Sequence, residues 1–71
     1  MYNLTILFKR DGRLWRGSSD YESYEEVVTN FRSLKNEFKS LSLTSDIEYG
    51  IINYSVDGIT IKNEVFHAKG E

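Results

Sequence analysis

Apolar residues fall at every second position from the start of the chain: Tyr2, Leu4, Ile6 and Phe8. That is the period of a strand with one buried face. Asp11-Gly12 follows, a pair suited to the two-residue type I′ turn because that turn needs positive φ at both central residues. A hairpin closed there pairs Arg10 with Arg13, Lys9 with Leu14, Phe8 with Trp15 and Leu7 with Arg16. Phe8 and Trp15 then join Ile6 and Leu4 on the core face. Thr5, Leu7, Lys9, Leu14 and Arg16 fall on the other face, which is mixed rather than polar.

Gly17-Ser18-Ser19-Asp20 is expected to break the second strand. Ser23 and Glu26 stand at capping-box spacing, where each side chain can satisfy a free N–H at the start of a helix. Asp20 competes as an N-cap. Tyr24, Val27, Val28, Phe31, Leu34, Phe38 and Leu41 then recur at helical spacing. The pattern predicts a helix from about Tyr24 to about Ser40, with Lys35 and Lys39 near its negative end.

A second hairpin is predicted from Ile47–Val56 and Ile59–Phe66 around Asp57-Gly58. Its first strand shows a phase slip. Ile47, Tyr49 and Ile51 share one face, whereas Ile52, Tyr54 and Val56 share the other. A β-bulge near Gly50–Ile52 reconciles the phases, as does a strand buried on both faces. The tail from His67 to Glu71 is expected to fray.

These elements give an α+β fold. Two β-hairpins form an antiparallel sheet of about four strands, with one α-helix packed on one face in ββαββ order. A three-stranded sheet with one hairpin standing off is also consistent, and strand order is left open. The 71 residues form a single small α+β domain, 1–71. At 39% hydrophobic and 14% aromatic, the composition is that of a globular chain. With no Cys and one His, a disulfide staple, a thiolate zinc site and a His-rich metal site are excluded. No membrane span or signal peptide is recognisable, so a cytoplasmic location is expected.

Charge changes the picture more. The net charge of −2 speaks against a dedicated nucleic-acid binder. Its distribution is uneven: Lys9, Arg10, Arg13 and Arg16 outweigh Asp11 for a local +3, and Asp20, Glu22, Glu25 and Glu26 follow with −4. Adjacent segments of opposite sign suit either an internal pairing or a complementary interface.

Catalysis finds little to work with. His67 is the only His, Glu48 and Glu64 are expected on exposed strand positions, and Asp57 is explained by its turn. No P-loop, dinucleotide-binding loop or EF-hand is present. No enzyme activity and no cofactor are expected.

Three surfaces remain as candidates for binding. The first is the basic hairpin of Lys9, Arg10, Arg13 and Arg16 around Trp15, which could meet nucleic acid. Its Asp11-Gly12-Arg13-Leu14-Trp15 stretch and the helix after it resemble the arm-binding domains of phage-type integrases over the first half of the chain. The third strand that those domains place before the helix is missing. The second is the sheet face opposite the helix, where Leu7 and Leu14, with some of Tyr49, Ile51 and Phe66, would form an apolar patch rimmed by Lys9, Arg16 and Lys62. The third is the acidic helix start at Glu22, Glu25 and Glu26.

In its lack of Pro and Cys and its wealth of Asn, Ile, Lys and Ser, the chain looks like the small orphan proteins that phages of low-GC bacteria direct against host machinery. The function expected is a small non-catalytic inhibitor or modulator that blocks a host protein, one that could itself handle nucleic acid. Homodimerisation through the same patch also fits. The alternative is a nucleic-acid-binding accessory domain using the first hairpin.

Overall fold

A computed structural model describes residues 1–68. Strand β1 (Tyr2–Arg10) turns at Asp11-Gly12 into β2 (Arg13–Tyr21). Helix α1 (Tyr24–Leu43) crosses the sheet, and β3 (Tyr49–Val56) and β4 (Ile59–His67) complete it. All pairings are antiparallel, in the order β2-β1-β3-β4. The first strand of the chain is therefore central, and both hairpins belong to one sheet.

Turn chemistry sets the register. Asp11 and Gly12 have φ of 52° and 75°, and Asp57 and Gly58 have φ of 50° and 83°. These are the left-handed values that a type I′ turn requires. The β1–β2 pairing is the one the turn dictates, from Arg10 opposite Arg13 to Tyr2 opposite Tyr21.

Contrary to expectation, β2 runs straight through Gly17-Ser18-Ser19-Asp20. Weak strand formers survive there because β1 supplies a complete hydrogen-bonding partner. Asn3 adds side-chain bonds, its amide donating to Ser18 Oγ at 2.9 Å and to Asp20 Oδ1 at 2.8 Å. Asp20 is thus a strand residue and does not cap the helix.

Ser23 is the N-cap. Its hydroxyl oxygen accepts from Glu26 N at 3.2 Å, while Glu26 Oε1 accepts from the same hydroxyl at 3.2 Å. The helix outruns its expected end by three residues, to Leu43. Asp46 N then donates to Leu41 O at 2.8 Å and Ser45 N to Ser42 O at 3.2 Å. This is a Schellman closure, with Ser45 at φ 60° in the left-handed position usually given to Gly. Lys35 and Lys39 consequently lie inside the helix, away from its last turn.

The core joins the helix to the two central strands. Val27, Phe31 and Phe38 of α1 pack with Leu4 of β1, Ile52 and Tyr54 of β3, and Ile47. Ile47 is 1% exposed but precedes β3, in the connection from the helix. The phase slip is thereby resolved without a bulge at Gly50–Ile52. Within β3 proper, Gly50, Ile52 and Tyr54 face the helix, and Tyr49 and Ile51 face away.

The bulge lies in β4. Tyr54 pairs with Lys62 but Ser55 pairs with Thr60, leaving Ile61 as the extra residue. A one-residue offset exchanges the faces of every following side chain. Lys62, Glu64 and Phe66 are turned toward α1, and Val65 and His67 to the opposite side. His67 is the last residue of β4, opposite Tyr49, and Ala68 N donates to Glu48 O at 3.0 Å, so the strand is held further than expected. Residues 69–71 of the expected frayed tail lie outside the described residues.

Candidate functional site

The sheet face turned away from α1 carries no element of the chain over it among the described residues. Its side chains form rows across the strands β2, β1, β3 and β4. One row is Arg16, Leu7, Ile51 and Val65, fixed by the pairings Leu7–Arg16, Leu7–Ile51 and Ile51–Val65. The row toward the Asp11-Gly12 turn is Leu14, Lys9, Tyr49 and His67. The row on the other side is Ser18, Thr5, Asn53 and Asn63.

Period-two alternation puts these residues on one face, and register gathers them into a patch. Leu7, Ile51 and Val65 lie side by side, with Leu14 and Tyr49 adjoining them. Leu14 and Val65 are each 53% exposed, so the patch presents large apolar side chains to solvent. Between β1 and β2 the face dips into a groove of about 490 Å³, lined by Thr5, Leu7, Arg16, Ser18 and Ile51, with Ile6 and Gly17 at its floor. On the helix-side face, a Cβ at Gly17 would stand 3.3 Å from Ile6 Cγ1, so the glycine lets Ile6 lie across β2 there.

Electrostatics grade the face along the strands. Arg16, Lys9 and His67 border the apolar rows. Lys9 Nζ is 3.4 Å from Glu48 Oε2, and Glu48 Oε1 accepts from Gly12 N at 3.1 Å, tying the first turn to the start of β3. Arg16 makes no ion pair among the described residues. The next row is uncharged and internally bonded, Asn53 Nδ2 meeting Thr5 Oγ1 at 3.4 Å.

The expected site residues therefore separate. Leu7, Lys9, Leu14 and Arg16 share the open face. Arg10 and Arg13 oppose each other at the hairpin tip, on the helix-side face. Trp15 shares that face but is 48% exposed, a surface residue where the core was expected. Its ring stacks on Phe8 at 6.2 Å, and the Arg13 guanidinium stands 5.7 Å from its centroid. Glu22, Glu25 and Glu26 lie at the opposite end of the molecule, whose long axis measures 36 Å, so the basic and acidic segments do not pair. Phe66 and Lys62 leave the open patch altogether. Phe66 packs edge-on against Phe38 at 5.9 Å, and Lys62 Nζ lies 5.7 Å above the Phe31 ring. His67 stands where an unbulged strand would put Phe66, and Val65 joins the patch opposite Ile51. A bulge at Ile61 has no strong sequence signal, which is why Val65 escaped the sequence reading.

Among the described residues no group of three His, Asp or Glu gathers as metal ligands, and no helix is long and apolar enough to cross a membrane. No protein family, curated protein or solved structure matches this chain.

Proposed function

We propose that the chain is a non-catalytic binding protein that inhibits or modulates a partner protein by laying the open face of its sheet against it. One observation carries the reading. Leu7, Ile51, Val65, Leu14 and Tyr49 form a contiguous apolar surface with nothing among the described residues covering it. An apolar centre with a polar rim is the anatomy of a protein interface. Arg16 on that rim favours a partner whose own apolar patch is bordered by Asp or Glu.

In the phage setting that the composition suggests, the partner is a bacterial host protein and the site of action is the host cytoplasm. The nucleic-acid alternative keeps Arg13 on Trp15 as an exposed cation–aromatic pair. It loses strength because Glu48 neutralises Lys9 and Asp11 sits at the tip.

Leu14→Ser with Val65→Ser tests the reading, since both side chains are more than half exposed and their loss leaves the core intact. Wild-type protein is expected to retain a discrete partner from nuclease-treated bacterial lysate, and the double variant to lose it with an unchanged Tm. Equal retention by both proteins would overturn the proposal. Binding that disappears with nuclease would transfer the function to the basic hairpin. Sedimentation of the free protein separates a heterologous partner from a second copy of the same chain.

A further inference from the structure

A second concave surface lies on the other side of the molecule, where α1 leaves β4 partly uncovered. Tyr24, Val28, Phe31, Arg32 and Lys35 form one stripe of the helix, and Tyr54 of β3 and Lys62 of β4 close the groove from the sheet. Its volume is about 270 Å³. The Ile61 bulge matters here too, because it turns Lys62 toward the helix.

The lining concentrates positive charge. Arg32, Lys35 and Lys62 converge on one groove in a chain whose net charge is −2. No carboxylate lines it. Glu64, the nearest acid across the seam, is engaged with Lys35 at 3.2 Å. Two of the cations are held by the fold. Lys35 is fixed by that ion pair, and Lys62 is held over Phe31 at 5.7 Å. Arg32 is exposed, has no ion pair among the described residues and offers a planar fork of donors.

Two hydroxyls complete the lining. Tyr54 is 6% exposed, and both burial and its hydrogen bond with Tyr24 raise its pKa. Tyr24, more than half exposed, brings a second phenol hydroxyl to the groove wall.

We propose that this groove between α1 and β4 binds a phosphate monoester. A dianion with three equivalent oxygens matches the Arg32 guanidinium and the Lys62 ammonium, with Lys35 and the Tyr24 hydroxyl beside them, better than a single carboxylate does. The volume admits a phosphoryl group and a small attached moiety and falls short of the ~300 Å³ at which sites for larger ligands begin. A phosphorylated side chain and a free sugar phosphate present the same group. The site is separate from the open face, so either proposal can fail alone.

The test is a titration of ¹⁵N-labelled protein at constant ionic strength. Ribose 5-phosphate and a phosphoserine peptide are added in turn, with ribose, the unphosphorylated peptide and sodium chloride as controls. The phosphorylated ligands are expected to shift the Arg32 side-chain signal and the backbone amides of Lys62 and Asn63 at millimolar concentrations, and the controls are not. The tighter of the two names the source of the phosphate. Arg32→Gln with Lys62→Gln is expected to weaken binding about tenfold or more, while Arg32→Lys with Lys62→Arg keeps most of it. Far-UV circular dichroism confirms the fold of each variant. Absence of phosphate-dependent shifts, or shifts that persist at full strength in the Gln variant, would overturn the assignment.

Discussion

Phe38 lies so close over the backbone of Gly50 that a Cβ there would stand 2.7 Å from Phe38 Cδ2 and 2.8 Å from Cε2. Gly50 pairs with Phe8 on one side and Phe66 on the other. Phe38 meets both of those rings edge-on, at 5.6 and 5.9 Å. The missing side chain in the middle of the row is the socket for the helix's last buried ring. Gly50→Ala must displace that ring, and overpacking of this kind costs about 1–3 kcal/mol. Urea denaturation is expected to show that loss. Gly58→Ala serves as the contrast. It meets nothing within 4 Å and suffers only from its φ of 83°, so its effect is backbone strain of roughly 1–2 kcal/mol without disturbance of the aromatic signals.

Ser45 occupies a left-handed position that favours glycine. Ser45→Gly removes that strain while leaving both backbone bonds of the helix closure in place. Relief of the left-handed strain favours the glycine by about 0.5–1 kcal/mol, and a rise in Tm is expected where that exceeds the bonding Ser45 itself makes. An unchanged or lowered Tm would mean that the serine side chain stabilises the turn as much as its backbone strains it.

Ser23→Ala removes the acceptor for Glu26 N and also the hydroxyl that Glu26 engages. A loss of about 1 kcal/mol is expected. Glu26→Gln retains Ser23 as the acceptor and should lose only a fraction of that, which thermal unfolding of the two variants side by side can resolve.

The raised pKa of Tyr54 gives stability a predictable alkaline limit. Burial is the main cause, and the bond with Tyr24 adds to it. The folded state holds the Tyr54 proton more tightly than the unfolded state does. Its contribution is therefore fully present below the ordinary tyrosine pKa of about 10 and is lost as pH rises through the folded value. Unfolding free energy measured from pH 8 upward is expected to fall in that window, and Tyr54→Phe to flatten the fall.

How much of this was legible in the sequence depended on how local the signal was. Asp11-Gly12 and Asp57-Gly58 each specify a turn within their own two residues, and from the first the whole β1–β2 register follows. Ser23 and Glu26 mark the start of α1 in the same way. Gly17-Ser18-Ser19-Asp20 misled because its weak strand propensity is overruled by a partner strand that composition does not reveal. Ile47 misled because its burial comes from the connection, not from strand phase.

The candidate face was half legible. Leu7, Lys9, Leu14 and Arg16 follow from the first turn. The β4 contribution needed the bulge at Ile61, and counting forward from Gly58 without it puts Lys62, Glu64 and Phe66 on the open face where Asn63, Val65 and His67 stand. The phosphate groove was not legible, because its residues come from α1, β3 and β4 and meet only once that offset is made.

Strand order also has a consequence in time. β1 lies between β2 and β3, yet it is the first strand of the chain. Its hairpin with β2 can close as a local event, within microseconds for an isolated hairpin. Its other edge must wait for a strand that begins at Tyr49, beyond the whole of α1. During synthesis the central strand stays open along that edge until most of the chain has emerged. Non-local pairing of this kind slows folding relative to a helical bundle of equal length. In that interval Leu4, Ile6 and Phe8, which pack toward the helix in the folded structure, stand beside unpaired backbone.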